Sequence, residues 1–166
     1  VLYRPYTLED FDRLYAIEER CFEPTFRFDR RYMRQLISRR DSATWIAEED
    51  RSLHGFAIVH WSKQGKGVPS DRTSALGCKD GVAAYIETIE VTPEARGQGV
   101  GSQLLSRVEG SARLAGSALI WLHVEAANAA AIRLYEAKGY SCKGRQDDYY
   151  PLGHAALIYL KRLDSI

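Results

Sequence analysis

The chain has 166 residues, 45% of them hydrophobic, enough to bury one sizeable core and too few for two ordinary domains. Lys+Arg 23 against Asp+Glu 22 leaves a formal charge of +1, so no overall field speaks for nucleic acid or an anionic membrane. Cys21, Cys78 and Cys142 stand far apart with no CxxC and no His-rich neighbour, which argues against a zinc site and reads as reduced thiols of a cytoplasmic protein. No apolar run has the length of a signal peptide or a membrane span. The expectation is one soluble domain over residues 1–166, with no metal, nucleic acid or membrane partner.

In chain order, "VLYRPY" reads as a short strand, and Thr7 with Asp10 three residues on resembles a capping box that opens a helix. Phe11, Leu14, Tyr15, Cys21 and Phe22 share one face of that helix. A second helix, about 29–40, turns Tyr32, Met33, Leu36 and Ile37 inward; Arg30, Arg31, Arg34, Arg39 and Arg40 on its other faces are a solvated surface or a lure for an acidic peptide. "ATWIAEED" and "SLHGFAIVHW" form a hairpin turning near Asp50–Arg51. Residues 62–81 lack periodicity and read as disorder or a flap. "VAAYIETIEV" is a strand, and Val100, Leu104, Leu105 and Val108 recur at helical spacing. "ALIWLHVEA" is a strand, Asn128 caps a short helix that stops at Gly139, and two closing strands, about 140–147 and 154–162, flank "DDYYPLG". Strand, two helices, three strands, helix, strand, helix and two strands make an α/β (α+β) chain with a mixed sheet.

The stretch "EVTPEARGQGVGSQLL" places Gly97, Gly99 and Gly101 where a helix begins. A helix N-terminus offers unpaired N–H groups and the positive end of its dipole, so it takes phosphate where no side chain blocks the approach. Arg96 and Gln98 add a charge and a donor at that edge. A plain glycine-tolerant loop gives the same letters. A P-loop needs GK[ST], and no lysine follows these glycines; a dinucleotide fingerprint needs a glycine where Ser102 stands.

The segment resembles the acyl-CoA motif Q/R-x-x-G-x-G/A of the GNAT-superfamily N-acetyltransferases, met by Arg96, Gly99 and Gly101. "LIWLHVEAANAAAIRLYEAKGY" and "DDYYPLGHAALIYL" continue the likeness to the ribosomal-protein-alanine and related N-terminal acetyltransferases over about residues 84–162. The resemblance implies a GNAT fold, a mixed and mostly antiparallel sheet of six to seven strands with about four helices on its two faces. It implies acetyl-CoA as cofactor, with the pyrophosphate on the N–H groups of Arg96, Gly97, Gln98, Gly99, Val100, Gly101 and Ser102. The pantetheine arm would run beside Ile89, Glu90 and Val91, and Asn128 and Tyr135 match residues that contact that arm and its sulfur.

Acetyl transfer to an amine needs a neutral nitrogen, a donor to the oxyanion and a proton for the leaving thiolate. An α-amino group has a pKa near 7.7–8.0 and a lysine near 10.4, so neutralising the lysine costs about 3.5 kcal/mol more at pH 7. As acid, a phenol near 10 facing a thiol near 8.5 makes the transfer uphill by only about 2 kcal/mol. By resemblance Tyr135 is that acid; the other reading is a core aromatic beside Ile132 and Ala131. The base position, a glutamate in the bacterial ribosomal-protein enzymes, is His123 in "WLHV", similar to eukaryotic N-terminal acetyltransferases that pair a histidine with a tyrosine, here Tyr85. A packed core histidine is the alternative. Glu87 and Glu90 are rival bases, and strand alternation points them to opposite faces. An N–H near Ile89 to Val91 would serve the oxyanion. Tyr149 and Tyr150 match a loop that holds substrate backbone in peptide-directed relatives, and with Phe22 and Pro24 they are candidates to wall a slot for a chain terminus. The implied activity is direct transfer from acetyl-CoA to a protein N-terminus, with that of a ribosomal protein among the candidates. The alternatives are a small amine or lysine acceptor and a CoA-binding module without turnover.

Overall fold

The computed structural model describes residues 1–63 and 81–163. Cys78 and all but the edges of the aperiodic stretch expected at 62–81 lie outside the described residues. The elements follow the expected order: β1 (Leu2–Pro5), α1 (Phe11–Cys21), α2 (Arg30–Ile37), β2 (Ser42–Glu49), β3 (Ser52–Lys63), β4 (Val82–Val91), α3 (Val100–Leu114), β5 (Ser117–Glu125), α4 (Ala129–Ala137), β6 (Ser141–Gln146) and β7 (Ala156–Arg162). The strands form one seven-stranded sheet in the order β1-β2-β3-β4-β5-β7-β6. β4 and β5 run parallel, with Tyr85 opposite Trp121, whereas β1/β2, β5/β7 and β6/β7 are antiparallel. Parallel neighbours need a crossover, and α3 supplies it.

Two compact units emerge, Val1–Val59 with Glu87–Val108, and His60–Ile86 with Glu109–Ile166. In the first, Phe11, Leu14, Tyr15 and Ile17 of α1 and Met33 and Leu36 of α2 bury against Ile46, Phe56 and Ile58. The start of α1 is fixed by Asp10, whose Oδ2 accepts from the Thr7 backbone N–H at 2.8 Å and whose carboxylate is held by Arg4 and Arg13. In the second unit Ala83, Leu119, Trp121, Ile158 and Leu160 form a core with Tyr85 packed against it.

Three expectations about helix faces are corrected. Phe22 is not on the buried face, because α1 ends at Cys21 and Phe22 turns into an extended conformation, leaving its ring 38% exposed. Tyr32 is 42% exposed, whereas Met33 and Leu36, three residues apart, are buried in the core and Ile37 packs against it. α2 also stops at Ile37 instead of running to 40, after opening on Asp29, whose side chain accepts from Tyr32 N–H. Of its arginines, Arg34 lies 3.7 Å over the Phe11 ring and Arg30 about 5 Å over Tyr15, so both are partly spent on cation–π packing.

The β2–β3 hairpin turns at Asp50 and Arg51, as expected, with φ of 50° and 65°. Two successive left-handed residues are the geometry of a type I′ turn, which glycine suits at the second position. Arg51→Gly should therefore raise stability by about 0.5 kcal/mol, relief of left-handed strain exceeding the entropy glycine adds to the unfolded chain. A urea midpoint no higher than that of the wild type would contradict this.

Candidate active site

In the first unit, β4 ends at Val91 and a single 3₁₀ turn, Pro93–Ala95, leads to Arg96 and the glycines. Gly97 and Gly99 have φ of 73° and 82°, a region closed to most side chains, and a Cβ on either would meet nothing within 4 Å. These two residues therefore give the chain its left-handed turns and leave open space beside the amides. Gly101 lies inside α3. Val100 opens that helix and is buried, as are Leu104, Leu105 and Val108. Over 15 residues α3 carries a full dipole with its first amides unpaired within the helix. Arg96 turns its Nε–H back to Val91 O at 3.0 Å and Gln98 donates to Glu94 O at 3.0 Å, so both side chains brace the turn. The residues fit a diphosphate held mainly by main-chain N–H groups.

Behind that turn sits a pair of carboxyls. Glu18 is on the buried face of α1, four residues after Leu14, and Glu90 is on β4; each is almost fully buried. Glu18 Oε1 accepts from Phe28 N–H at 2.7 Å and Glu90 Oε1 from Thr88 Oγ1 at 2.8 Å. Oε2 of each is buried and unbonded, with the other carboxyl as neighbour. Burial first, then Glu18, raises the Glu90 carboxyl well above its ordinary value; Cys21 adds to the shift and Thr88 opposes it. Burial beside another carboxyl favours the protonated form of Glu90. The protonated form contributes stability in full below the unfolded glutamate value near 4.3, and that contribution is lost as pH rises through the raised folded value. Wild-type stability should thus decline toward alkaline pH relative to Glu90→Gln, read from urea curves at successive pH values. Parallel curves would refute a protonated Glu90. Glu87, the other expected base on β4, is half-buried.

The second unit holds the expected base. Tyr85 Oη lies 2.8 Å from His123 Nδ1, and the Trp121 ring packs against both. Alternation along β5 puts Trp121 and His123 on one face, and the parallel register sets Tyr85 beside Trp121. The Tyr149 ring stacks on the imidazole at 4.1 Å and 12°, and Tyr150 stands edge-on to Tyr149 at 4.8 Å. The loop that carries them is strained, with positive φ at Asp148, Leu152 and Gly153. The geometry brings together Tyr85, His123, Tyr149 and Tyr150. Phe22 and Pro24 are exposed in the α1–α2 connection of the first unit.

Tyr135 is buried on α4 with its ring near Tyr140 and Tyr159, and burial pushes its phenol well above the ordinary value. Its charge would also be felt by Tyr150. The small uphill cost expected of Tyr135 as an acid assumed an unshifted phenol, and burial makes that transfer more uphill. Asn128 caps α4 by accepting from Ala131 N–H at 3.2 Å, as expected of an N-cap.

Sequence reasoning missed the Glu18–Glu90 pair, although Glu18 at the i+4 position from Leu14 marks a carboxyl on a buried stripe. It also missed Gln146, whose Oε1 lies 3.3 Å from His123 Nε2. No local pattern announces that contact; the β6/β7 register makes it. Among the described residues no helix is long and apolar enough to cross a membrane, and no group of His, Cys, Asp and Glu is placed to hold a metal. Cys21 and Cys142 are free thiols.

The mixed sheet thus carries a glycine turn into a helix and a hydrogen-bonded tyrosine–histidine pair. A family model described as the acetyltransferase (GNAT) family matches residues 11–140, and the chain belongs to that family. The [Ribosomal protein bS18]-alanine N-acetyltransferase of Escherichia coli K12 is 40% identical over 68 residues, 41% of this chain and 46% of that protein. Streptothricin acetyltransferase of Streptomyces lavendulae is 32% identical over 111 residues, 66% of this chain and 50% of that protein. The chain thus spans about half the length of the curated relatives it matches. The crystal structure of the E. coli ribosomal-protein-S18-alanine N-acetyltransferase superposes with a TM-score of 0.78 at 24% identity, covering 99% of this chain and 95% of that one. Arabidopsis thaliana NAA60 in complex with acetyl-CoA gives 0.84 at 21% identity, covering 99% of each. At these identities the superpositions show the fold.

Proposed function

We propose that the protein transfers the acetyl group of acetyl-CoA directly to the α-amino group of a protein N-terminus. The observation that carries this reading is the Tyr85–His123 hydrogen bond at 2.8 Å with Tyr149 stacked on the imidazole. A neutral imidazole with an ordinary pKa near 6.5 takes the proton of an α-amine readily and that of a lysine poorly. Tyr149 and Tyr150 supply flat, half-polar surfaces for peptide backbone. By the family resemblance, amides of the Arg96–Ser102 turn would hold the diphosphate and Asn128 would meet the pantetheine arm, while acetyl-CoA would supply the activated acetyl group. Tyr135 would donate a hydrogen bond toward the leaving sulfur, and main-chain N–H groups near Ile89 to Val91 would serve the oxyanion. Its similarity to streptothricin acetyltransferase favours a second reading, in which the acceptor is a small amine.

Labelled acetyl-CoA offered to peptides differing in their first residue, to the same peptides with a blocked α-amine and an internal lysine, and to free polyamines separates the readings. The expected result is label on unblocked peptides with a preference at the first residue. Label on polyamines alone would overturn the peptide reading. For the cofactor half, Gly99→Val should weaken CoA binding about tenfold or more, by adding a branched side chain at a left-handed position beside the amides. Unchanged affinity by calorimetry would remove the diphosphate from that turn.

A further inference from the structure

We infer that Gln146 is a positioning residue that fixes the tautomer of His123 and so makes Tyr85 the first proton acceptor from the substrate. The inference rests on the reading of His123 as the base.

A neutral imidazole carries one N–H, and the partner of each nitrogen decides which. Gln146 Oε1, an acceptor only, faces Nε2 at 3.3 Å, so Nε2 bears the hydrogen. Nδ1 then presents its lone pair to Tyr85 Oη at 2.8 Å, and the phenol is the donor. With Tyr149 covering the ring face at 4.1 Å, the ring is oriented at both nitrogens and across its plane. The reverse tautomer would aim Nδ1–H at a phenol oxygen and leave Nε2 facing a second acceptor, which is repulsive.

The consequence is an ordered relay. As the amine nitrogen attacks the acetyl carbon and the thioester C–S bond breaks to release the coenzyme as its thiolate, the amine proton would pass to Tyr85 Oη while the Tyr85 proton passes to His123 Nδ1. The phenol ends as it began and the imidazole ends as an imidazolium. Its Nε2–H still donates to Gln146 Oε1, which favours the cation as well as the tautomer. Gln146 is the last residue of β6, next to the Asp147–Gly153 loop that carries Tyr149 and Tyr150. An acceptor that moves this loop therefore also moves the group that sets the base.

The test is long-range ¹H–¹⁵N correlation on histidine-labelled protein, with His123 assigned by its absence in His123→Ala. Wild type should show a neutral Nε2–H tautomer, and Gln146→Leu should populate Nδ1–H. Gln146→Glu keeps the acceptor and should keep the tautomer, while its charge moves the acid limb of the kcat/KM profile upward by about one pH unit. Gln146→Leu should lose kcat about tenfold or more, with the KM for acetyl-CoA unchanged. An Nδ1–H tautomer in the wild type, or the same tautomer and pH profile in Gln146→Leu, would overturn the inference. If His123→Ala keeps the wild-type rate, the reading of the base fails, and with it the relay.

Discussion

Replacing His123 by alanine is expected to lower kcat/KM for an amine acceptor about 10²–10⁴-fold, the span that a positioned general base supplies. That corresponds to about 3–5 kcal/mol of transition-state stabilisation. The expectation follows from geometry: Nδ1 is within hydrogen-bond reach of Tyr85, and Tyr149 stacks on the ring. Because the imidazole works through the phenol, Tyr85→Phe should lose a comparable amount, and the double variant little more than either alone. Affinity for CoA should stay within twofold, since its diphosphate is assigned to the amides of Arg96 to Ser102. The acid limb of the pH profile, which reports ionisation of the base, should vanish in His123→Ala. Kinetics across pH 5–9 with a melting curve for each variant would check all four statements. Full loss in Glu87→Gln alongside an active His123→Ala would move the role of base to the glutamate.

The sequence order of elements was legible because the apolar period changes at each boundary and helices carry punctuation: Thr7 and Asn128 before, Gly139 after. The helix faces were less so. Phe22 continues the apolar spacing of α1, yet the backbone leaves the helix at that residue, and no pattern in the side chains encodes the exit. The glycine turn could be recognised from its letters, but not that only Gly97 and Gly99 require left-handed angles while Gly101 belongs to α3. The Tyr85–His123 pair was legible only through resemblance, since it joins residues 38 positions apart through a parallel register. Gln146 reaches His123 across β7, which follows β6 in sequence but lies between β5 and β6 in the sheet. Long-range pairing of this kind leaves no local trace.

Gly55→Ala should destabilise the protein by about 3 kcal/mol, the upper part of the usual range for overpacking a buried site. Gly55 lies on β3, and an ideal Cβ there would sit 2.5 Å from Glu90 O, 3.2 Å from Leu104 Cδ1 and 3.3 Å from Val91 Cα. The first and third are main-chain atoms of β4, which no rotamer change can clear. That end of β4 is also held from other directions: Thr92 N–H donates to His54 O at 2.9 Å and Arg96 Nε–H to Val91 O at 3.0 Å. Leu104 is fully buried and has nowhere to retreat. The methyl must therefore shift β3 or β4 themselves, and β4 runs directly into Thr92, Pro93 and the Arg96–Gly99 turn. A displaced strand end misplaces the amides assigned to the diphosphate, so CoA affinity should fall together with the urea midpoint. Gly97→Ala is the matching control. Its Cβ would meet nothing within 4 Å, so only the left-handed φ of 73° opposes it, at a cost of roughly 1 kcal/mol. If both variants lose equal stability, the tight β3–β4 approach is not what selects glycine at 55. If Gly55→Ala alone loses both stability and CoA affinity, the strand contact and the cofactor turn act as one rigid piece.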